Sequence, residues 1–205
     1  MPRFIGDTHG KYGAYKTIIK LYPNTIQLGD MGIGFKKYDS YDGESYFTNP
    51  PYDKMVQMNA RFIRGNHDNP FVCKNHTQWI ADGTIEGDMM FVGGAYSIDK
   101  DYRREGYDWW PEEELSHIEM LKILDIYVRN KPRIMVTHDA PECMLTYLVS
   151  HHMKFSTRTG QFFDRLFEEH QPEIWVHGHH HISFDKVVKG TRFVCLAELE
   201  HKVIE

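Results

Sequence analysis

The chain has 205 residues, with 24 Lys and Arg against 29 Asp and Glu, for a formal net charge of −5. This length favours a single domain over residues 1–205 with a core of its own, and 41% hydrophobic and 14% aromatic content excludes an intrinsically disordered chain. The acidic balance argues against a protein that works mainly by coating nucleic acid or an anionic membrane.

No apolar run approaches the roughly 18 residues of a membrane span. The opening stretch MPRFIGDTHG lacks the apolar centre of a signal peptide. Cys73, Cys143 and Cys195 are scattered with no CxxC, which reads as free thiols in a reducing, cytoplasmic setting.

Arg3-Phe4-Ile5 reads as a short strand ending at Gly6, and Tyr12 to Leu21 as a helix stopped by Pro23. Thr25 to Leu28 is the next strand, broken by Gly29. Residues 36–57 are rich in Tyr, Asp, Gly, Ser and Pro and predict a long surface loop. Its Tyr38, Tyr41, Tyr46, Phe47 and Tyr52 are candidates to overhang a site. Ala60 to Ile63 is a third strand, and the glycines of residues 79–98 predict short hairpins.

Pro111 and the acidic run Glu112 to Glu114 predict a helix start. Leu115, Ile118, Leu121, Leu124 and Val128 supply its expected buried stripe. Arg133 to Val136 is a strand, followed by helices near Pro141 to Leu148 and Gln161 to His170. Glu173 to Val176 is a strand, and Ser183 to Val188 with Arg192 to Leu196 predict a hairpin. Strands alternating with helices indicate an α/β domain with mixed sheets.

Five clusters share one design, in which a strand runs out, the chain turns and a metal-type side chain follows. They are Gly6-Asp7-Thr8-His9, Gly29-Asp30, Gly65-Asn66-His67-Asp68, Thr137-His138-Asp139 and Gly178-His179-His180-His181. Open α/β folds place their sites at such strand ends. Asp and Asn offer hard oxygen and His offers nitrogen, a mixture that suits Mn²⁺, Fe or Zn²⁺ better than Ca²⁺. Singly, each cluster also reads as an ordinary turn or a surface histidine. All five in this order do not.

The pattern Asp-x-His, Gly-Asp, Gly-Asn-His-Asp, a lone His and Gly-His-x-His resembles that of the calcineurin-like metallophosphoesterase superfamily, most closely its small single-domain members from bacteria and phages. That resemblance implies an α/β fold of two mixed sheets packed as a sandwich and flanked by helices. It implies two divalent ions, Mn²⁺ foremost, with Fe, Zn²⁺, Ni²⁺ and Mg²⁺ also compatible. The first ion would take Asp7, His9, Asp30 and His181. The second would take Asp30, Asn66, His138 and His179. His67 would be catalytic, assisting the leaving group as a metal-bound hydroxide attacks phosphorus.

The protein-phosphatase branch continues Gly-Asp with x-x-Asp-Arg-Gly, but here Ile33 and Gly34 stand at the Asp and Arg positions. The expected reaction is therefore hydrolysis of a phosphodiester, such as a cyclic nucleotide or a nucleotide-like molecule. The alternatives are a phosphomonoesterase or protein phosphatase, a nucleotide pyrophosphatase, and a metal-binding scaffold without turnover. Arg103, Arg104 and Arg158 are candidates to grip the phosphate. The partner is a small phosphate ester, with nucleic acid and membrane disfavoured. The oligomeric state is not legible.

Overall fold

The computed structural model describes residues 1–38, 45–148 and 156–205. Twelve strands occur among the described residues: β1 (Arg3–Ile5), β2 (Thr25–Gln27), β3 (Lys36–Tyr38), β4 (Ser45–Phe47), β5 (Arg61–Phe62), β6 (Thr84–Glu86), β7 (Met89–Val92), β8 (Ile134–Thr137), β9 (Ile174–His177), β10 (Phe184–Val188), β11 (Thr191–Cys195) and β12 (His201–Val203). The helices are α1 (Tyr12–Leu21), α2 (Tyr52–Gln57), α3 (Pro70–Cys73), α4 (His117–Asn130), α5 (Leu145–Leu148) and α6 (Arg158–Glu169). No described helix is long and apolar enough to cross a membrane.

The strands form a four-stranded sheet in the order β12-β1-β2-β5 and a six-stranded sheet in the order β10-β11-β9-β8-β7-β6. β1, β2 and β5 run parallel, as do β7, β8, β9 and β11. Parallel pairing sends all their C-terminal ends to one edge of each sheet.

Alternation along the strands builds the layers. Ile134 and Val136 of β8, Ile174 and Val176 of β9 and Val194 of β11 meet Phe4 and Ile26 between the sheets. The intervening Met135, Trp175 and Phe193 pack instead with Met120, Ile123 and Tyr127 of α4 and Phe163 and Leu166 of α6. On the outer face of the smaller sheet, Ile5 and Phe62 pack with Tyr15 and Ile19 of α1 and Met55 of α2. The expected architecture is therefore present as four layers: helix, sheet, sheet, helix.

One packing detail reaches the site. Trp175 is fully buried, and its ring lies 5.9 Å from that of Phe193 and 5.8 Å from that of Phe163. Such pairs add about 0.5–1.5 kcal/mol each beyond burial. The Trp175 Nε1–H donates to Thr137 Oγ1 at 2.8 Å. The core thus fixes the end of β8, from which His138 emerges.

Two sequence expectations are corrected. The described parts of 36–57 are not all loop, because β3 pairs with β4 and α2 follows, while residues 39–44 lie outside the described residues. The side chains of Tyr38, Tyr41, Tyr46 and Phe47 lie outside the described residues, and Tyr52 stacks on His76. The second correction concerns α4. Pro111–Glu113 is only a 3-10 turn, and α4 begins at His117. Ser116 caps it in a reciprocal box with Glu119. Leu115, ahead of the helix, is buried and Leu124 packs against the core as expected, but the helix's fully buried stripe is Met120, Ile123 and Tyr127, whereas Ile118, Leu121 and Val128 are exposed. The helix carries two apolar stripes, and periodicity cannot say which one meets the sheet.

Candidate metal centre

Five loops at the shared strand edge carry the candidate residues. Asp7 and His9 follow β1, Asp30 follows β2, Asn66 and His67 follow β5, His138 follows β8, and His179 and His181 follow β9. Four of these residues are non-glycine residues held in the left-handed region: His9 (φ 47°), Asp30 (55°), His179 (66°) and His181 (54°). Backbone of this kind costs about 1–3 kcal/mol per residue and persists where the surroundings enforce it. Close approach also dictates glycine here. A Cβ on Gly65 would lie 2.1 Å from Asp30 Oδ1, and one on Gly178 would lie 2.3 Å from Asp7 Oδ1.

The loops bring the side chains into two clusters. Asp7, His9, Asp30 and His181 form one, and Asp30, His138 and His179 form the other. Within each, the ligating atoms lie within 4.8 Å of one another. Asp30 belongs to both. In the first, His181 Nε2 is 3.0 Å from Asp7 Oδ2 and 2.8 Å from His9 Nε2. In the second, His138 Nε2 is 3.2 Å from Asp30 Oδ1 and 3.1 Å from Asn66 Oδ1. His138 donates its Nδ1–H to the Leu28 carbonyl at 2.7 Å. That bond turns the Nε2 lone pair toward Asp30 and Asn66.

The electrostatics of the clusters call for added positive charge. Burial pushes the Asp7 carboxyl up, but hydrogen bonds from His181 and His9 outweigh it and bring the pKa down to about 2. Asp30 lies well below the usual carboxylate range, because His138 overcomes a similar burial effect. Burial alone would push His138 down, yet the Asp30 charge lifts it to about 10. Buried carboxylates and imidazole lone pairs facing one another fit a divalent cation with mixed oxygen and nitrogen ligands.

Asn66 is oriented by residues that the sequence did not expose. Its Nδ2–H donates to Ser97 Oγ at 3.0 Å. Ser97 in turn donates its Oγ–H to Glu113 Oε2 at 2.6 Å and its N–H to Glu113 Oε1 at 2.7 Å. All three side chains are buried. A hydrogen-bond chain of fixed polarity therefore leaves Asn66 Oδ1 facing His138. Glu113 closes the 3-10 turn Pro111–Glu113 rather than opening a helix. Ser97 follows β7, a parallel strand whose end carries no ligand-like motif.

His67 stacks on Phe35, with ring centroids 5.8 Å apart and planes 9° apart. The Arg103 guanidinium lies 2.7 Å from His67 Nε2 and also donates to Asp99 at 2.7 Å. Burial and, less strongly, Arg103 push the His67 pKa down, against the opposing Asp30 charge. Asp68 turns away from His67. It accepts from the backbone amides of Met31, Gly32, Ile33 and Gly65 at 2.8–3.2 Å. It thereby ties the Asp30 loop to the Asn66 loop.

Of the three candidate arginines, only Arg103 joins this site. Arg104 is exposed, 4.0 Å over the Tyr107 ring. Arg158 lines a separate cavity with His117 and Leu121. His180, which matched no ligand position, pairs with the buried Asp139 at 3.1 Å.

The model of the calcineurin-like phosphoesterases matches residues 3–183. The chain belongs to that family. The phosphoesterase is thus a metal-dependent hydrolase of phosphate esters, from a family that typically binds two divalent metals. No curated protein matches the chain. Among solved structures, it is similar to the Thermus thermophilus protein TT1561, with 12% identity and a TM-score of 0.55, over 97% of this chain and 90% of that one. It is also similar to a putative 5'-nucleotidase of Staphylococcus aureus, with 14% identity and a TM-score of 0.52. That match covers 96% of this chain and 48% of that one, so this chain spans about half the nucleotidase's length. Both likenesses concern the fold.

Two clefts open onto the clusters of the phosphoesterase. One, of about 390 Å³, is reached past Asp30, Asn66 and His179. The other, of about 200 Å³, is lined by His9, Gly10, Gly32, Phe35 and Thr48. His67 lines both.

Proposed function

We propose that this phosphoesterase hydrolyses a phosphodiester. The observation that carries the reading is the pair of clefts meeting at His67 beside the two clusters. A diester presents two substituents on phosphorus and needs room for both, whereas a monoester needs room for one. Asp7, His9, Asp30 and His181 would hold one cation, and Asp30, Asn66, His138 and His179 the other, with Mn²⁺ the best fit to the mixed donors. When bound, such a pair neutralises phosphate oxygens and makes a water acidic near neutral pH.

His67 acts on the leaving group. A neutral imidazole has one accepting and one donating nitrogen. Arg103 Nη2 lies 2.7 Å from Nε2 and 3.1 Å from Nδ1, so it holds the ring at its nitrogen edge, and the ring's N–H would serve the departing oxygen. Phe35 fixes the ring plane. Arg103 is a positioning residue in this scheme, since it contacts His67, Asp99, the Asp108 carbonyl and the Phe35 ring. The three free thiols, Cys73, Cys143 and Cys195, fit a reducing compartment such as the cytoplasm.

The test is hydrolysis of bis(p-nitrophenyl) phosphate beside p-nitrophenyl phosphate by Mn²⁺-loaded protein. Diester turnover that falls about 10²–10⁴-fold in His67→Ala is expected, as for loss of a general acid. Monoester turnover alone would overturn the diester reading. Unchanged metal content in Asp30→Asn would overturn the shared-ligand assignment.

A further inference from the structure

Helices α4 and α6 both pack on the six-stranded sheet, and a groove of about 380 Å³ runs between them. Leu121, Leu124 and Phe162 make its apolar floor, with His117, Arg158 and Arg165 at its edges. No Asp or Glu lines it among the described residues. The apolar surface continues along α4 from Ile118 through Leu121 to Val128, about 15 Å of helix. Ile118 is 68% exposed and Leu121 66%. Single exposed aliphatic side chains are ordinary, but a contiguous stripe beside a groove marks an interaction surface.

Cations flank this surface on both sides. Arg158 and Arg165 stand on the α6 side. At about 3.6 residues per turn, Lys122 and Arg129 fall on the other flank of the α4 stripe. Acidic neighbours neutralise them only in part. Arg129 pairs with Asp125, Arg165 pairs with Glu168 and Glu169, and Arg158 comes no closer than 3.6 Å to Glu114. The Arg158 Nε–H is buried without a hydrogen-bond partner among the described residues, and Lys122 is exposed. A guanidinium carries five N–H donors, so each arginine keeps some to offer.

We propose that this surface docks an acidic amphipathic helix of a partner polypeptide. Its apolar side chains would lie on Leu121, Leu124 and Phe162, and its carboxylates would face Arg158, Arg165 and Lys122. Helix-in-groove recognition uses apolar anchors at this spacing. A second copy of this chain fits less well, because a two-fold contact would bring basic flank against basic flank. An anionic bilayer fits less well too. It would meet the exposed Asp125 and Glu168 on the same face, whereas a helix can set its carboxylates on the cations alone.

Fluorescence anisotropy tests the proposal, with a labelled helical peptide of about 18 residues, or five turns, carrying Leu on one face and Glu elsewhere. Binding at about 10 μM or tighter is expected, weakening as salt rises. Leu121→Asp and Arg165→Glu should each weaken it at least about tenfold, as for loss of an anchor. Both side chains are exposed, so neither change disturbs the core. Val187→Asp, on the exposed strand β10, should leave binding unchanged. The same peptide with Lys in place of Glu should not bind. Absence of Glu-peptide binding to the parent overturns the proposal. So does binding that survives both groove variants, or that falls equally in Val187→Asp. A dimer in sedimentation that Leu121→Asp dissolves would assign the face to a second copy. Leu121-dependent binding to phosphatidylglycerol vesicles would assign it to a membrane. Either result overturns the proposal.

Discussion

Glu113→Gln is a nearly isosteric change about two hydrogen bonds away from Asn66, and it should weaken metal binding. In the parent, polarity runs one way: Asn66 Nδ2 donates to Ser97 Oγ, and Ser97 donates to Glu113 through both Oγ–H and N–H. A carboxylate only accepts. Burial pushes the Glu113 carboxyl up, while the two bonds from Ser97 pull it down. A glutamine must keep its oxygen on the Ser97 amide, so its NH₂ faces Ser97 Oγ. Ser97 then turns its hydrogen toward Asn66, which is satisfied only if the Asn66 amide flips. The flip would present Nδ2 where Oδ1 faced His138, and an amide nitrogen does not ligate. Losing an orienting partner of this kind typically costs 10–100-fold in metal affinity, or about 1.4–2.7 kcal/mol. The assay is calorimetric titration of the apo-protein with Mn²⁺, with thermal unfolding in parallel. Ser97→Ala should weaken binding less, because it frees the Asn66 amide without reversing it. Mn²⁺ affinity within twofold of the parent in a folded Glu113→Gln protein would refute the reasoning.

Three further outcomes are expected. Arg103→Ala should lower kcat on bis(p-nitrophenyl) phosphate by less than His67→Ala does, with metal content and KM nearly unchanged, because its guanidinium acts through the His67 ring; a KM effect larger than the kcat effect would instead make it a phosphate ligand. Gly65→Ala would put a Cβ 2.1 Å from Asp30 Oδ1 and 2.2 Å from Asp30 N. It should cost about 1–3 kcal/mol in urea unfolding and reduce the bound metal, since only backbone movement relieves the clash. Asp185 is paired with Arg192 and with Lys202, and these bonds lower its pKa from 3.8 to about 2. A depressed pKa contributes stability above the unfolded value that is lost as pH falls through the folded one. Asp185→Asn should therefore be less stable than the parent at pH 5–7, with the gap closing between about pH 4 and pH 2. A gap that stays constant with pH would show that the ion pairs contribute nothing.

The candidate clusters were legible in the sequence because their spacing is local. Each candidate ligand sits within a few residues of a strand end and a glycine, and parallel pairing carries those ends to one edge. Asp7, His9, Asp30, His138, His179 and His181 could be read in that way, and so could the inward Phe162, Phe163, Leu166 and Phe167 of α6, all of which are buried. The face of α4 could not. Ile118, Leu121 and Val128 have helical spacing as good as that of Met120, Ile123 and Tyr127. Only the sheet behind the helix, and the Ser116 cap that sets its start, choose between the two stripes.

Residue types in order thus pointed to the family, the two-sheet fold and the side chains that gather in the two candidate clusters. Tertiary structure decided which residues serve those donors. Ser97 and Glu113 lie 31 and 47 positions from Asn66, and Arg103 lies 36 from His67. A hydrogen bond over such separations leaves no periodicity or spacing in the chain, because it forms only when sheet packing brings the ends of β5 and β7 together.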